Sequence, residues 1–587
     1  MSSKRGCKRL RRWGFRYLYL APVLALLLAG SPGSAVKGGR FGAADLPIVK
    51  ATTTAQLSAA GEIQLHAIMD AAELADLHWP AFGKYQGEVR DFYDSSERSL
   101  PWMRPTGPGP QALAIIRLLN HSDSEGLYPE DYDVPRWEGR LQALGQRDPA
   151  PESDRVRFDV ALTVSVMRYI SDLHLGRVNP HLILHDLALD DTNFDLSGFL
   201  RDKLVNASDK DIQIAIEAVE PPFPTYHRTR NALATYLELS RRDDGELLPT
   251  PRKAIKPGDS YTGLSRLTRL LGLLGDLSDN EKGVAHPGVY GEPLVSAVKR
   301  YQQRHGLEPN GLINWQTLQD LNTPLNQRVA QLQLTLERLR WMPHQFQRPP
   351  IVVNIPEFRL RAVDEQYHWV LSMKVVVGRA YRNQTPVFTS GIKSVIFSPY
   401  WNVPLSIVRA ELLPDIHRDP AYLVRNRYEI VDSAGAVVSQ SAVTEGIERQ
   451  LRSGKLGIRQ MPGPDNALGL LKFDFPNAHD VYMHGTPATQ LFSRSRRDFS
   501  HGCIRVEDPV ALATWLLRDQ PGWTAAHVRA ATLEGKTLRV DLERPVPVLI
   551  VYGTALVMEN GEVHFFRDIY GQDALLEKAL LTRSHSE

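Results

Sequence analysis

The sequence contains very little cysteine. Cys7 and Cys503 are the two cysteines among 587 residues. Cys7 precedes an apolar run, whereas a lipoprotein cysteine follows one. If the N-terminal segment is removed, Cys503 is the single remaining thiol, which excludes an intramolecular disulfide. A lone thiol of this kind is either a buried, inert side chain or a reactive one.

The chain also lacks an excess of charge of either sign. Lysine and arginine total 69, against 67 aspartates and glutamates. This balance gives no electrostatic reason to expect a nucleic-acid partner, and we predict none. The length predicts three or more domains. After residue 35 no segment reaches the ~20 apolar residues that a membrane-spanning helix needs.

The first 35 residues have the pattern of an export signal. A basic segment, "KRGCKRLRRWGFR", precedes the apolar run "YLYLAPVLALLLAG" and the small residues of "SPGSA". Residues 1–35 are therefore predicted to be a signal peptide, and the protein to be periplasmic. The alternative is an uncleaved signal anchor in the inner membrane. A twin-arginine signal fits "RRWGF" poorly.

Residues 40–250 have a mainly helical pattern, which predicts a helical scaffold domain. In "RFDVALTVSVMRYISDLHLGRVNP" one face of a helix carries an apolar stripe, formed by Phe158, Leu162, Val166, Tyr169 and Leu173. Such a stripe predicts a core-facing helix that ends near Gly176. The segment 242–260 is polar and rich in proline and glycine, which is typical of a linker.

Residues 257–325 predict a compact module of three helices, in which the turn Asn310-Gly311 precedes the third helix. We expect a connecting helix over 326–345 that packs back on the N-terminal region. The periodicity then changes from 3.6 to 2, which predicts a β-rich domain over 349–545 and a C-terminal hairpin and tail over 546–587, with Asn560-Gly561 at the turn. The irregular insertion 407–466 is predicted to be a lid over a cleft, with a solvated decoration as the alternative.

Cys503 lies in the cluster "SHGC", with a second "HG" at His484 and Gly485. A cysteine nucleophile needs a base and donors for a developing oxyanion. His484, at a strand end, is the candidate base. The amides around His501, Gly502 and Cys503 are the candidate oxyanion donors, and Ser500 and Gly485 complete the predicted active-site turn. Gly502 permits a tight turn, and the Ser500 hydroxyl can shape it by local hydrogen bonds. Asp508 and Pro509 are expected to cap the following helix.

Substrate-binding candidates surround this cluster. Arg505, with Arg494, Arg496 and Arg497 nearby, predicts a cationic entrance to the site, which would suit a substrate with carboxylates and would favour the thiolate form of Cys503. For the arginines of 494–497, a solvated loop is an equal alternative. Tyr400 and Trp401 either line the cleft or belong to the sheet core. A zinc site made from His479, His484, His501 and Cys503 is a weaker alternative because the ligand spacing is not compact. We predict no metal and no cofactor.

The segment "HGT" resembles the first half of the signature of the L,D-transpeptidase (YkuD-type) catalytic domain, and "SHGCIR" resembles the second half. The segments "TPVFTSGIKSVIFSPYWNVP" and "RQMPGPDNALGLLKFDFPN" are similar to those flanking its cleft. "GVYGEPLVSAVKRYQQRHGLEPNGLINWQTLQDLN" resembles a peptidoglycan-binding module, with a spacer lacking glycan affinity as the alternative. The domain order and "DLHLGRVNP" resemble the large Gram-negative branch of the family.

The resemblance implies a multidomain α+β protein that acts on peptidoglycan stem peptides and glycan. It implies that Cys503, deprotonated by His484, attacks the third stem residue, that D-alanine leaves, and that an amine of another stem forms a 3→3 cross-link. It also implies acylation by carbapenems, a role in cell shape, and contact with other cell-wall synthesis enzymes. Three alternatives stay open: a carboxypeptidase, an enzyme that attaches proteins to peptidoglycan or detaches them, and a non-catalytic wall-binding scaffold.

Overall fold

The computed structural model describes residues 54–147, 149–183, 186–187, 194–282 and 288–582. The predicted signal segment, 1–35, lies outside these residues, as does the start of the predicted scaffold domain. Within the described ranges no helix combines the length and the apolarity needed to cross a membrane.

The N-terminal region is helical, as predicted, with a few two-residue strands. Its elements are β1 (Ala55–Gln56), α1 (Ala59–Ala71), α2 (Gln86–Asp94), β2 (Ser99–Leu100), β3 (Met103–Arg104), β4 (Gly107–Pro108), α3 (Pro110–Leu119), α4 (Val134–Gly145), α5 (Glu152–Leu175), α6 (Leu196–Phe199), α7 (Asp209–Glu217) and α8 (Pro224–Arg242). Single turns of 3₁₀ helix lie between several of them, and a π turn, Leu200–Leu204, follows α6.

Helix α5 forms the centre of this region. The predicted apolar stripe is buried, which confirms it as core. The helix also buries Asp159, whose carboxylate accepts hydrogen bonds from the Tyr93 hydroxyl at 2.6 Å and the Trp102 amide at 2.9 Å. Gly176 ends the helix at φ +82°, where a Cβ would lie 2.8 Å from the Trp341 indole nitrogen. Glycine is therefore needed here both for its backbone angle and for its small size.

The predicted module follows, as α9 (Leu264–Leu273), α10 (Asp279–Lys282), α11 (Leu294–Arg304) and α12 (Trp315–Leu321). Its apolar side chains form a core of their own. Helix α13 (Leu325–Arg340) is the predicted connecting helix, and it packs on α8. Tyr226 and Leu233 of α8 share a core with Leu332 and Leu336 of α13, which confirms the prediction that this helix returns to the N-terminal region.

The C-terminal third is β-rich, as predicted. The strands before the insertion are β5 (Ile351–Asn354), β6 (Arg359–Val363), β7 (Trp369–Gly378) and β8 (Phe388–Phe397). The insertion contains β9 (Trp401–Asn402), α14 (Leu405–Ile407), a π turn (Val408–Leu412), α15 (Leu413–Arg418), α16 (Tyr422–Arg425), β10 (Tyr428–Val431), β11 (Val437–Ser439), α17 (Glu445–Ser453) and β12 (Gly457–Gln460).

The chain then returns to the main sheet and ends in a hairpin and a helix. These elements are β13 (Leu471–Asp474), β14 (Met483–His484), β15 (Asp498–Ser500), β16 (Ile504–Val506), α18 (Pro509–Leu517), α19 (Ala525–Leu533), β17 (Leu538–Val551), β18 (Ala555–Val557), β19 (Val563–Phe565) and α20 (Gln572–Thr582). Asp508 caps α18 with Pro509 at its first position, and the Asn560-Gly561 turn joins β18 to β19, both as predicted.

The main sheet has nine strands in the order β15-β7-β16-β14-β13-β8-β17-β5-β6, and β6 also pairs with β7. This extra pairing closes eight of the strands into a barrel-like ring around an apolar core. Strand β17 pairs with β5 and β8 as far as Val551. The predicted boundary at 545/546 therefore falls inside a strand of the main sheet.

The insertion is a small folded unit. Its four strands form a separate antiparallel sheet in the order β11-β10-β12-β9, over a core that includes Val408, Leu413, Ile430 and Ile458. Strand β9 precedes the predicted start of the insertion at Ile407, so the unit is larger than predicted. It is neither irregular nor a loosely solvated decoration.

Candidate active site

Two short parallel strands bring the cysteine cluster together. In the pairing of β14 with β16, Met483 lies opposite Ile504 and His484 opposite Arg505. The amide of Ile504 donates to the carbonyl of Tyr482 at 3.0 Å. Met483 and Ile504 are buried in the core. Because side chains alternate along a strand, Tyr482, His484, Cys503 and Arg505 share the opposite face.

The Cys503 thiol is half-buried beside Tyr482. Its Sγ contacts the Asp480 carbonyl oxygen at 3.9 Å. Burial raises the pKa of the thiol; hydrogen bonds from the backbone and the phenol of Tyr482 and the positive charges of Lys472 and Arg505 oppose this rise. The Lys472 ammonium lies 4.2 Å from the centre of the Tyr482 ring. The resting side chain is therefore a thiol in a mildly cationic setting.

The imidazole of His484 is buried on the same face. Its Nδ1 lies 2.6 Å from the carbonyl oxygen of Gly485. A carbonyl can only accept, so Nδ1 carries the proton and Nε2 keeps its lone pair. Burial, assisted by the positive charge of Arg505, lowers the pKa of His484 to about 3. The ring is therefore neutral at neutral pH, with Nε2 unprotonated.

No hydrogen bond among the described residues joins Cys503 to His484. From the strand geometry their Cα atoms lie about 8 Å apart, because they are diagonal neighbours two residues along strands that are ~4.8 Å apart. The two side chains extend from the same face and can bridge this separation. Catalytic hydrogen bonds are often longer in an enzyme without substrate than in the complex, so this arrangement is compatible with a nucleophile and its base.

Ser500 shapes the turn before the cysteine, as predicted. Its Oγ donates to the Cys503 carbonyl at 2.6 Å and accepts from the Gly502 amide at 3.1 Å. Gly502 has φ +117°, which only glycine adopts without strain. The Thr385 hydroxyl supports the turn from outside by donating to the Gly502 carbonyl at 2.7 Å.

The Gly502 amide, one of the candidate oxyanion donors, is engaged in the turn itself, because Ser500 Oγ accepts its proton. The amides of His501 and Cys503 make no hydrogen bond to any described residue. The Gly485 carbonyl accepts from His484, and Gly485 packs against Gly469, at which a Cβ would lie 2.7 Å from the Gly485 carbonyl carbon. The remaining candidates for oxyanion donors are thus His501 and Cys503.

His501 connects the cysteine turn to the insertion. Its Nε2 lies 2.6 Å from Oε1 of Glu411, in the π turn of the insertion. The ring is thereby engaged by a carboxylate outside the main sheet. The insertion therefore contacts the residue two positions before the cysteine.

Trp401 makes a second connection to the insertion. It lies in β9, which pairs with β12 of the insertion sheet. Its side chain hydrogen-bonds to the Tyr482 phenol, which in turn contacts the thiol. Tyr400 is 41 % exposed, with the Arg459 guanidinium 4.6 Å from the ring centre. Trp401 thus connects to the cysteine through Tyr482, whereas Tyr400 faces the insertion.

The predicted arginines fall into different places. Arg505 lies by the thiol with a buried Nε that has no hydrogen-bond partner among the described residues, and burial with the nearby charge of Arg379 lowers its pKa. Arg496 is paired with Asp498. Arg497 is buried and donates to backbone carbonyls, so it is a structural residue. Arg494 is exposed. The expected uniform cationic mouth is not formed.

The ligands of the alternative zinc site are dispersed. His479 lies 3.6 Å from Asp186, and His501 is bound to Glu411. Across the described ranges no three His, Cys, Asp or Glu side chains are grouped as a metal site would require.

Sequence reasoning missed Tyr482, Lys472, Glu411 and Thr385. One signal was present for Tyr482: it lies two residues before His484 in a segment with a strand-like pattern, which predicts that the two share a face. Glu411 and Thr385 are about 90 and 117 residues from their partners in the cysteine turn. Contacts of that separation leave no periodic signal in a single sequence.

Comparison with known proteins identifies three regions. Residues 348–547 match the model of the L,D-transpeptidase catalytic domain, residues 265–321 that of the "Putative peptidoglycan binding domain", and residues 87–233 that of the scaffold domain. A protein of Haemophilus influenzae named "Putative L,D-transpeptidase" is 35% identical over 256 residues. The match covers 43% of this chain, and the chain spans half the length of that relative.

Proposed function

We propose that this chain, which carries an L,D-transpeptidase catalytic domain together with peptidoglycan-binding and scaffold domains, forms 3→3 peptidoglycan cross-links through a thioester on Cys503. The observation that carries the proposal is the common face of two adjacent strands on which the thiol, the neutral imidazole of His484 and the phenol of Tyr482 lie. Its setting would be the periplasm, reached through the N-terminal signal.

In the first half-reaction the Cys503 Sγ attacks the carbonyl carbon of the third residue of a tetrapeptide stem. The thiol proton passes to Nε2 of His484, whose lone pair is free because Nδ1 donates to Gly485. The free amides of His501 and Cys503 would bind the oxyanion. The C–N bond then breaks, the imidazolium returns its proton to the leaving amine, and D-alanine departs from a thioester.

In the second half-reaction a side-chain amine of another stem attacks the thioester carbonyl. His484 accepts a proton from the amine, the C–S bond breaks, and the imidazolium returns that proton to the leaving sulfur, which restores the thiol. Water in place of the amine would give a tripeptide, so the outcome depends on water exclusion. Trp401 and Glu411, both tied to the insertion, lie where they can limit access of water to the thioester.

Intact-protein mass spectrometry of the full chain with purified tetrapeptide muropeptides tests this proposal. We expect an adduct on Cys503, release of D-alanine and a 3→3 dimer, all absent in Cys503→Ala. Tripeptide as the sole product would instead favour an L,D-carboxypeptidase. Neither adduct nor product from a folded protein would favour a non-catalytic wall-binding scaffold.

A further inference from the structure

A cavity separate from the cysteine face lies where three parts of the chain meet. It has a volume of about 600 Å³. Its walls come from residues 303–316 of the module, from the catalytic strands β6 and β7 with the segment 492–497, and from residues 558–569 around the C-terminal hairpin. None of Cys503, Tyr482 or His484 lines it. A volume of this size lies in the range of ligand-binding clefts.

The cleft carries an excess of cationic side chains, although Arg496 and Lys374 are paired with Asp498 and Glu507 at its edge. Its lining contains seven arginines and lysines but two carboxylates, Glu308 and Glu357. Glu357 is already held by both guanidinium nitrogens of Arg361, at 2.6 and 2.5 Å. Arg494 and Arg567 are exposed, and no ion pair joins either of them to a carboxylate of the described residues. The Arg494 guanidinium lies 5.4 Å from the centre of the Phe499 ring. The cleft therefore has positive charge available to a carboxylate-bearing ligand.

The other groups of the cleft suit a sugar chain. Gln303 and Gln316 present amides, and Ser493 and Ser495 present hydroxyls. Trp369 contributes an aromatic ring. The Arg361 guanidinium covers one face of this ring, 4.1 Å from its centre. Such a mixture of amides, hydroxyls and an aromatic ring can bind neutral sugar hydroxyls while the arginines bind acidic groups.

The cleft is also linked to the reacting cysteine by the chain itself. The segment 492–497, which carries Arg494, runs directly into β15, and β15 runs into the turn of Ser500 to Cys503. On its other side the cleft is formed by the predicted glycan-binding module. A polymer bound here would thus lie between that module and the segment leading to the nucleophile.

We propose that this cleft binds a peptidoglycan strand, with Arg494 and Arg567 pairing with the carboxylates of its stem peptides. The inference rests on the proposed function for its choice of ligand. It assigns the two unpaired arginines a role in recognising stems at a place other than the reaction centre. Binding here would hold a strand while one of its stems, or a neighbouring strand, reaches Cys503.

The test is a binding measurement on the full chain in a Cys503→Ala background, which prevents turnover. Fluorescently labelled soluble glycan strands bearing tetrapeptide stems are compared with the same strands after the stems have been removed by an amidase. The variant is Arg494→Glu with Arg567→Glu. The matched control is Arg252→Glu with Arg529→Glu, two exposed arginines that do not line the cleft.

We expect the Arg494/Arg567 variant to bind stem-bearing strands about 10-fold more weakly, since two charge contacts become repulsions. The Arg494/Arg567 variant should bind stem-free strands as the parent does, and the control variant should bind both kinds of strand as the parent does. If the Arg494/Arg567 variant lost affinity equally for both kinds of strand, or lost no affinity, the inference would be overturned. Because the readout is binding alone, a chain that makes no 3→3 dimer yet shows this pattern would refute the proposed function and leave the cleft assignment standing.

Discussion

The phenol of Tyr482 lies against the thiol of Cys503, across the two parallel strands that form the candidate active site. The same phenol is hydrogen-bonded to Trp401, a residue of the insertion sheet. Tyr482 therefore connects the thiol to the insertion, and the environment of Cys503 depends on both parts of the domain.

Replacing Tyr482 by phenylalanine should raise the pKa of Cys503 further, because a hydrogen bond that favours the thiolate is lost while burial remains. The measurement is the pH dependence of alkylation of Cys503 by iodoacetamide, followed by mass. We expect a wild-type midpoint above the ~8.5 of a free cysteine and a higher midpoint in the variant. Tyr381→Phe, at a ring that is 96% exposed, is the control. An unchanged or lower midpoint in Tyr482→Phe would show that the phenol does not stabilise the Cys503 thiolate.

Replacing His484 by glutamine should lower kcat/KM with tetrapeptide muropeptides by about 100-fold or more, because the proton acceptor is lost. Glutamine retains a hydrogen-bonding group of similar size near Gly485. His479→Gln, at a histidine of the same domain that contacts Asp186, serves as the control and should be near wild type. Activity within a few-fold of wild type in His484→Gln would show that another group accepts the proton.

Ser500→Ala should destabilise the catalytic domain by about 1–3 kcal/mol, because the buried Gly502 amide loses its acceptor. Ser500→Thr keeps the oxygen and should recover part of the loss. The free energy of unfolding is measured by urea denaturation, with Ser495→Ala, at an exposed serine, as the reference. A Ser500→Ala protein as stable as Ser495→Ala would mean that water replaces the hydroxyl at no cost.

The contact of Glu411 with His501 should matter for turnover. Glu411→Ala and His501→Ala are each expected to lower kcat/KM about three- to tenfold, because one hydrogen bond that holds the insertion against the cysteine turn is lost. If the contact is the cause, the double variant should be no worse than either single one. Glu365→Ala, at an exposed glutamate, is the control. Additive losses in the double variant would show that the residues act separately.

Stability should fall with acidification because of His484. Its folded pKa of about 3 lies below its ordinary value of 6.5, so between these pH values the unfolded chain binds a proton that the folded chain does not. The free energy of unfolding therefore rises with pH across this window, and His484 contributes nothing to the slope above it. We expect a smaller loss from pH 7 to pH 5 in His484→Gln than in wild type, by urea denaturation at each pH. Equal slopes would mean that His484 is protonated in the folded chain.

Local patterns predicted the elements well. The cap at Asp508, the turn at Asn560-Gly561 and the buried stripe of α5 each depend on residues within a few turns or one hairpin of one another. The boundary placed at 545/546 was displaced because β17 is held by strands nearly 200 residues earlier. The insertion was predicted to be irregular because its core is spread over short elements that show little periodicity.

The sequence by itself determined the elements of the candidate site: a strand ending at His484, a glycine turn shaped by Ser500, and one thiol at Cys503. These depend on local backbone preference and on side chains a few residues apart. Only the tertiary structure decided that Tyr482 contacts the thiol, that Gly502 has no free amide, and that Glu411 reaches His501. It also separated the arginines, with Arg505 beside the cysteine, Arg497 in backbone contacts and Arg494 in a different cleft. The physical reason is that strand register and contacts between distant segments are set by burial of a shared core, which no local pattern encodes.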